Sequence, residues 1–185
     1  IVSDQKAENI TKEKAEFRGF FTNMKDIMKK IFSLVVVATI RDATQQGIRI
    51  FLPMLVVLKG GSIAKGGMLL FAITLACTIG GIVGGKLADS KGDEEVMLWT
   101  HAISPIFLIT GLNTKGGLSI AALILGFAFL QASTPISTAI AQKKCPMSRS
   151  TVSSLAMGVS WGIANLMTTP VGFSADIFGL EITLR

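Results

Sequence analysis

Charge is scarce in this 185-residue chain: only 16% of its residues are Asp, Glu, Lys or Arg, against roughly 25% in a globular protein. Tyrosine is absent, histidine occurs once and cysteine twice. One histidine and two cysteines leave no paired spacing for a metal ion and no framework of bridges. Cys77 lies inside an apolar run and Cys145 in a basic loop, so both read as reduced thiols, one in the core and one in a connection. No phosphate-cradling loop for ATP and no nucleophile motif occurs either. The expectation is therefore a non-enzyme with no cofactor and no metal. The shortage of charge is also uneven. Residues 1–30 hold seven of the 18 basic and five of the 12 acidic side chains, leaving 18 charged residues for the other 155. Such a remainder has too little polar surface to stay in water, which excludes a disordered tail, a disulfide scaffold and an ordinary soluble enzyme.

Apolar residues are plentiful. They make up 50% of the chain, the mean hydropathy is +0.58, and they gather in five runs: Leu34 to Leu58, Gly66 to Ala88, Val96 to Leu112, Leu118 to Ala141 and Val152 to Ala175. Crossing a bilayer takes about 20 helical residues, and helices satisfy their own backbone in lipid. Five transmembrane helices are expected, the third being the shortest. The connections Lys59–Lys65, Asp89–Glu95, Asn113–Gly117 and Gln142–Thr151 are short, so neighbouring helices run antiparallel. Assigning the tail, second loop and fourth loop to one side collects twelve basic residues there and leaves four on the other. The positive-inside bias then predicts a cytoplasmic tail in a multi-pass protein of the plasma membrane. The net charge of +6 gives no sign of nucleic acid, because the basic residues sit at the ends of apolar runs, as membrane topology requires, and are not woven among stacking aromatics.

Residues 1–33 form a polar segment before the bundle at 34–185. Within it Phe17, Phe20, Phe21, Met24, Met28 and Ile31 recur at spacings of three and four, while Lys12, Lys14, Arg18, Lys25, Lys29 and Lys30 take other positions. That pattern is an amphipathic helix, either lying on an anionic leaflet or packed against the protein's own loops. The chain opens at Ile1 rather than Met, which predicts a piece of a longer protein or a processed chain.

The sharpest motif closes the second run: Gly85-Lys86-Leu87-Ala88-Asp89-Ser90-Lys91-Gly92. It resembles the loop signature of the major facilitator superfamily, keeping Gly85, Asp89 and Gly92. It departs at Ser90, where the family has arginine, and at Asp93, Glu94 and Glu95, where the family is basic. Gly172-Phe173-Ser174-Ala175-Asp176-Ile177-Phe178-Gly179 repeats the pattern G-x-x-A-D-x-x-G at the end of the fifth run. Copies of opposite orientation are what inverted repeats produce. The resemblance implies the central loop and helices seven to eleven of a twelve-helix transporter, with Glu181–Arg185 as the start of a truncated twelfth, and is loosest toward drug-efflux members such as fosmidomycin-resistance proteins. The departures match the degenerate copy of the signature carried by the second half of such transporters.

Arg41, Asp42, Gln45, Gln46 and Arg49 interrupt the first run, with 41, 45 and 49 on one helix face. A charge inside the membrane faces a partner or a watery cavity. Arg41 and Asp42 can also anchor the helix near its cytoplasmic end; Arg49 lies too deep to escape to either interface. Gln131, Thr134 and Thr138 share a face of the fourth run beside Pro135, and Trp161, Asn165 and Thr168 one of the fifth. Ser154, Gly158 and Gly162 form a small-residue ladder for close packing. His101 reads as an interfacial residue beside the anchor Trp99, or as a proton relay. The substrate pathway is thus expected at Arg41, Gln45, Arg49, Gln131, Thr134 and Asn165, with Asp42 as the proton-coupling candidate and Gly85, Asp89 and Gly92 as the gating motif. The expected fold is an all-α polytopic membrane protein, half of a major facilitator bundle. The expected function is secondary transport of a small polar or anionic solute or drug by alternating access. Its partners would be the lipid bilayer, the missing N-terminal half, the solute, and a proton or other coupling ion. A non-transporting sensor or assembly protein on the same fold is the alternative.

Overall fold

The computed structural model describes residues 2–58, 60–146 and 149–179, with side chains described from Met24 onward. The described residues are all-helical apart from short turns: α1 runs Val2–Leu58, α2 Ile63–Lys91, α3 Asp93–Asn113, α4 Gly117–Lys144 and α5 Arg149–Phe178. Each apolar run lies within one helix, and α2–α5 extend one to three residues past their runs at each end because polar flanks continue the helical backbone. α2, α3 and α4 are each long and apolar enough to cross a membrane. Their outward faces carry Phe71, Leu75, Ile79 and Ile82 on α2 and Leu98, Ile106 and Ile109 on α3, all exposed. An apolar surface of that extent suits contact with lipid.

Two expectations change at the boundaries. The tail and the first run form one unbroken helix, with Pro53 the proline inside it. No backbone boundary separates 1–33 from 34–58. Ile27 and Ile31 are buried in the same cluster as Leu34, Val35, Ile136, Ile140 and Val152, so the end of the polar segment packs on the protein's own helices. The part of the amphipathic pattern on Phe17, Phe20 and Phe21 lies outside the described side chains. The stretch Asp89–Glu95 is not a loop. α2 continues to Lys91 and α3 begins at Asp93, with Gly92 alone between them at a φ of 100°. Asp93, Glu94 and Glu95 occupy the first turn of α3, where the helix dipole favours negative charge.

α4 is the central element and packs on all four others; α3 touches α2 and α4, and α5 touches α1 and α4. The α2–α4 contact is close. A Cβ on Gly80 would stand 2.2 Å from the Ala128 carbonyl oxygen, and one on Gly84 2.5 Å from that of Ala132. Small residues one turn apart on both helices let the backbones touch. The core divides into two apolar clusters. One gathers Ile48, Leu52, Leu55, Ile73, Leu112, Leu123 and Phe127; the other surrounds Ile31, Val35, Val96, Ile140 and Val152. On α1 the buried residues between the two clusters include Thr39, Arg41, Asp42 and Gln45.

Candidate functional site

The polar layer between the two apolar clusters is held by four helices. Arg41 and Asp42 pair with each other: the guanidinium Nε donates to Asp42 Oδ1 at 3.0 Å and a terminal nitrogen approaches the same oxygen at 2.8 Å. Their side chains are 4% and 6% exposed, so this is a buried ion pair. Arg41 also donates to Ser137 Oγ of α4 at 3.3 Å. One turn on, Gln45 Nε2 donates to Gln131 Oε1 at 2.9 Å and lies 3.7 Å from Cys77 Sγ. Gln46 reaches Asn165 Oδ1 of α5 at 3.5 Å, and Arg49 reaches Thr74 Oγ1 of α2 at 3.5 Å. These bonds tie α1 to α2, α4 and α5 along about two turns of α1.

A cleft of about 280 Å³ opens among them, lined by Asp42, Gln45, Gln46, Arg49, Thr74, Cys77, Thr78, Gln131, Thr134 and Trp161. Gln45, Arg49, Gln131, Thr134 and Asp42 therefore come together as one wall. Arg41 does not line it; its guanidinium is engaged by Asp42 and Ser137 and borders the lateral gap between α1 and α3 instead. Asn165 is exposed and meets the group through Gln46. Its amide also donates to Trp161 O at 2.9 Å. Thr74, Thr78 and Cys77 were not expected. The signal for the two threonines was present, since 74 and 78 stand at i, i+4 spacing on the second run, but nothing in the sequence told that face from a lipid-facing one.

The electrostatics are uneven. Asp42 accepts through Oδ1, while Oδ2 is buried with no hydrogen-bond partner among the described residues. Arg49 is half-buried, and the single bond to Thr74 leaves most of its five donors free. Free guanidinium donors beside amides and hydroxyls can hold a carboxylate or phosphate in a bidentate geometry. Among the described residues no cluster of His, Cys, Asp and Glu could hold a metal ion.

The glycine–aspartate motif sits at a helix end and away from this cleft. Gly85 and Asp89 lie on α2 and Gly92 at its terminus. Asp89 is exposed and makes no hydrogen bond or ion pair among the described residues, and a Cβ on Gly85 would meet nothing within 4 Å. The repeated segment on α5 closes in the same way. Gly92 N–H donates to Ala88 O at 2.9 Å with φ 100°, and Gly179 N–H donates to Ala175 O at 3.0 Å with φ 85°. Both glycines have a positive φ, which glycine adopts without the steric penalty of a side chain. The two copies lie at opposite ends of the bundle: Ala88 belongs to the cluster around Ile31, while Ala175 packs on the one around Leu52.

His101 is half-buried, with Nδ1 2.8 Å from Met97 O and Nε2 unpartnered. Trp99 is exposed beside it. No family model, curated protein or solved structure matches this chain.

Proposed function

We propose that the chain forms part of a secondary transporter of the major facilitator kind, carrying a small polar or anionic solute through the cleft between α1, α2, α4 and α5. In this reading all five helices span the plasma membrane, the tail is cytoplasmic, and a second bundle supplies the opposite wall. The two halves rock about the cleft, and an ion or solute gradient drives the cycle. Arg49 attracts the anionic group while Gln45, Gln131 and Thr134 orient it. The single observation that carries the reading is the polar cleft itself. A membrane-facing bundle has little reason to place an under-used arginine and a ring of amides and hydroxyls around about 280 Å³ of open volume unless something polar enters. The opposed G-x-x-A-D-x-x-G copies support the inverted-repeat plan of such transporters. The free Asp89 at a helix end suits a latch against the second bundle, as the resemblance implies.

The test is a gradient-driven flux assay in proteoliposomes on the gene product that contains this chain. Saturable uptake of small anions that is lost in Arg49→Gln supports the reading. Saturable binding without flux favours the sensor alternative.

A further inference from the structure

A second cavity lies apart from the polar cleft, at the end of the bundle where α1 gives way to α2 and α3 to α4. It measures about 560 Å³, within the range of about 300–1,000 Å³ that accommodates a small ligand. Its floor is the buried Leu52, Leu55, Leu112 and Leu123. Lys65 and Lys115 stand at its edge, both exposed and neither in an ion pair among the described residues. The hydroxyls of the wall are already used: Ser119 donates to Gly111 O at 2.6 Å and Thr114 to Thr110 O at 2.7 Å. Among the described residues no acidic side chain lines the cavity.

We propose that this cleft is a binding site for an acidic phospholipid, with one acyl chain on the leucine floor and the phosphate between the Lys65 and Lys115 ammonium groups. The chemistry is selected by what the wall leaves unsatisfied. Its hydroxyls already spend their single donors inside the protein, so they donate nothing to a ligand. Two exposed ammonium groups on one rim favour an anion. The floor accepts hydrocarbon and rejects a wholly polar solute. The cleft belongs to a bundle whose helices face lipid, so such a molecule is present at high local concentration. The inference rests on the membrane location and stands independently of transport.

Native mass spectrometry of the whole chain, offered 1-palmitoyl-2-oleoyl phosphatidylglycerol and its phosphatidylcholine counterpart, tests it. The expected result is one retained lipid with a preference for the glycerol head. Each lysine near a membrane surface contributes about fivefold and the pair roughly thirtyfold. Lys65→Gln with Lys115→Gln should abolish that preference, while the charge-matched control Lys86→Gln with Lys91→Gln, at the other end of α2, should keep it. Both pairs of lysines are exposed, so folding is not at stake. Ser119→Trp, which fills the cleft, should reduce retention of either lipid. Equal retention of the two lipids, or a preference that survives loss of Lys65 and Lys115, overturns the proposal. So does displacement by an equal concentration of oleate, which would assign the site to a free fatty acid. A lipid-free dimer would assign the cleft to a second copy of the chain and overturn it equally.

Discussion

Arg41 and Arg49 lie on one face of α1, about 12 Å apart at about 1.5 Å per residue, yet the fold gives them different surroundings. Arg41 is locked by Asp42 and Ser137, whereas Arg49 keeps a single 3.5 Å contact. Loss of the locked residue's partner is structural. Asp42→Asn should destabilise the chain by about 3–5 kcal/mol, because a guanidinium is then buried without its counter-ion. Arg41→Met combined with Asp42→Leu should recover much of that loss. Unfolding curves in detergent measure both, and equal instability of the single and double variants would mean the pair itself carries the stability. Arg49 should behave oppositely. Arg49→Gln should leave the melting curve nearly unchanged and weaken binding of a small anion such as inorganic phosphate about tenfold or more, the scale of a charged hydrogen bond. Arg49→Lys should fall between, since it keeps the charge and loses the planar fork. Binding calorimetry gives the order, and equal affinity in all three variants would remove Arg49 from the site. These residues stand out in the sequence because charge inside an apolar run is conspicuous, and depth along the helix already set Arg49 apart from Arg41. The bond that engages Arg41 was not legible, since Ser137 lies 96 positions away.

Helix number, order and approximate limits were legible from the apolar runs alone. The long α1 was not, because a polar helix and an apolar helix carry different signals even when no residue breaks the backbone between them. Nor was the brevity of the turn at Gly92, where Asp93, Glu94 and Glu95 look like loop and act as the first turn of α3. At this scale α2 and α4 are joined through glycine. Gly80→Ala and Gly84→Ala each place a methyl group less than 3 Å from backbone of α4, so each should cost roughly 1–3 kcal/mol through overpacking. Gly81→Ala and Gly85→Ala meet nothing within 4 Å and should leave thermal stability unchanged or slightly raised. Melting temperatures of the four variants decide it, and a uniform response would mean that the close approach does not govern the contact. Gly85 is the informative member. If the open space beside it is filled by another bundle, Gly85→Ala should be silent in this chain and harmful to flux in the complete protein.

The molecule as a whole is held unevenly. α2, α3 and α4 follow one another and pack on one another, whereas α1 takes its partners from far along the chain: Gln131 lies 86 positions from Gln45, Asn165 119 from Gln46, and the Val35 carbonyl accepts from Ser160, 125 positions on. A chain cut after Asn113 should therefore keep α2 and α3 inserted while α1, with Arg41, Asp42 and Arg49 in its apolar stretch, slips out of the membrane, because intramembrane charge is costly without partners. Glycosylation mapping of tagged truncations reads the outcome directly, and stable insertion of α1 in the short chain would show that it needs none of those contacts. The same arrangement has a consequence in time. Within this segment the ribosome delivers α1 before α4 and α5, so at about 5–20 residues per second roughly 5–20 s separate their emergence. During that interval its charged face lacks Gln131, Ser137 and Asn165. Biogenesis should thus depend on something that shelters a half-polar helix inside the bilayer until α4 and α5 arrive.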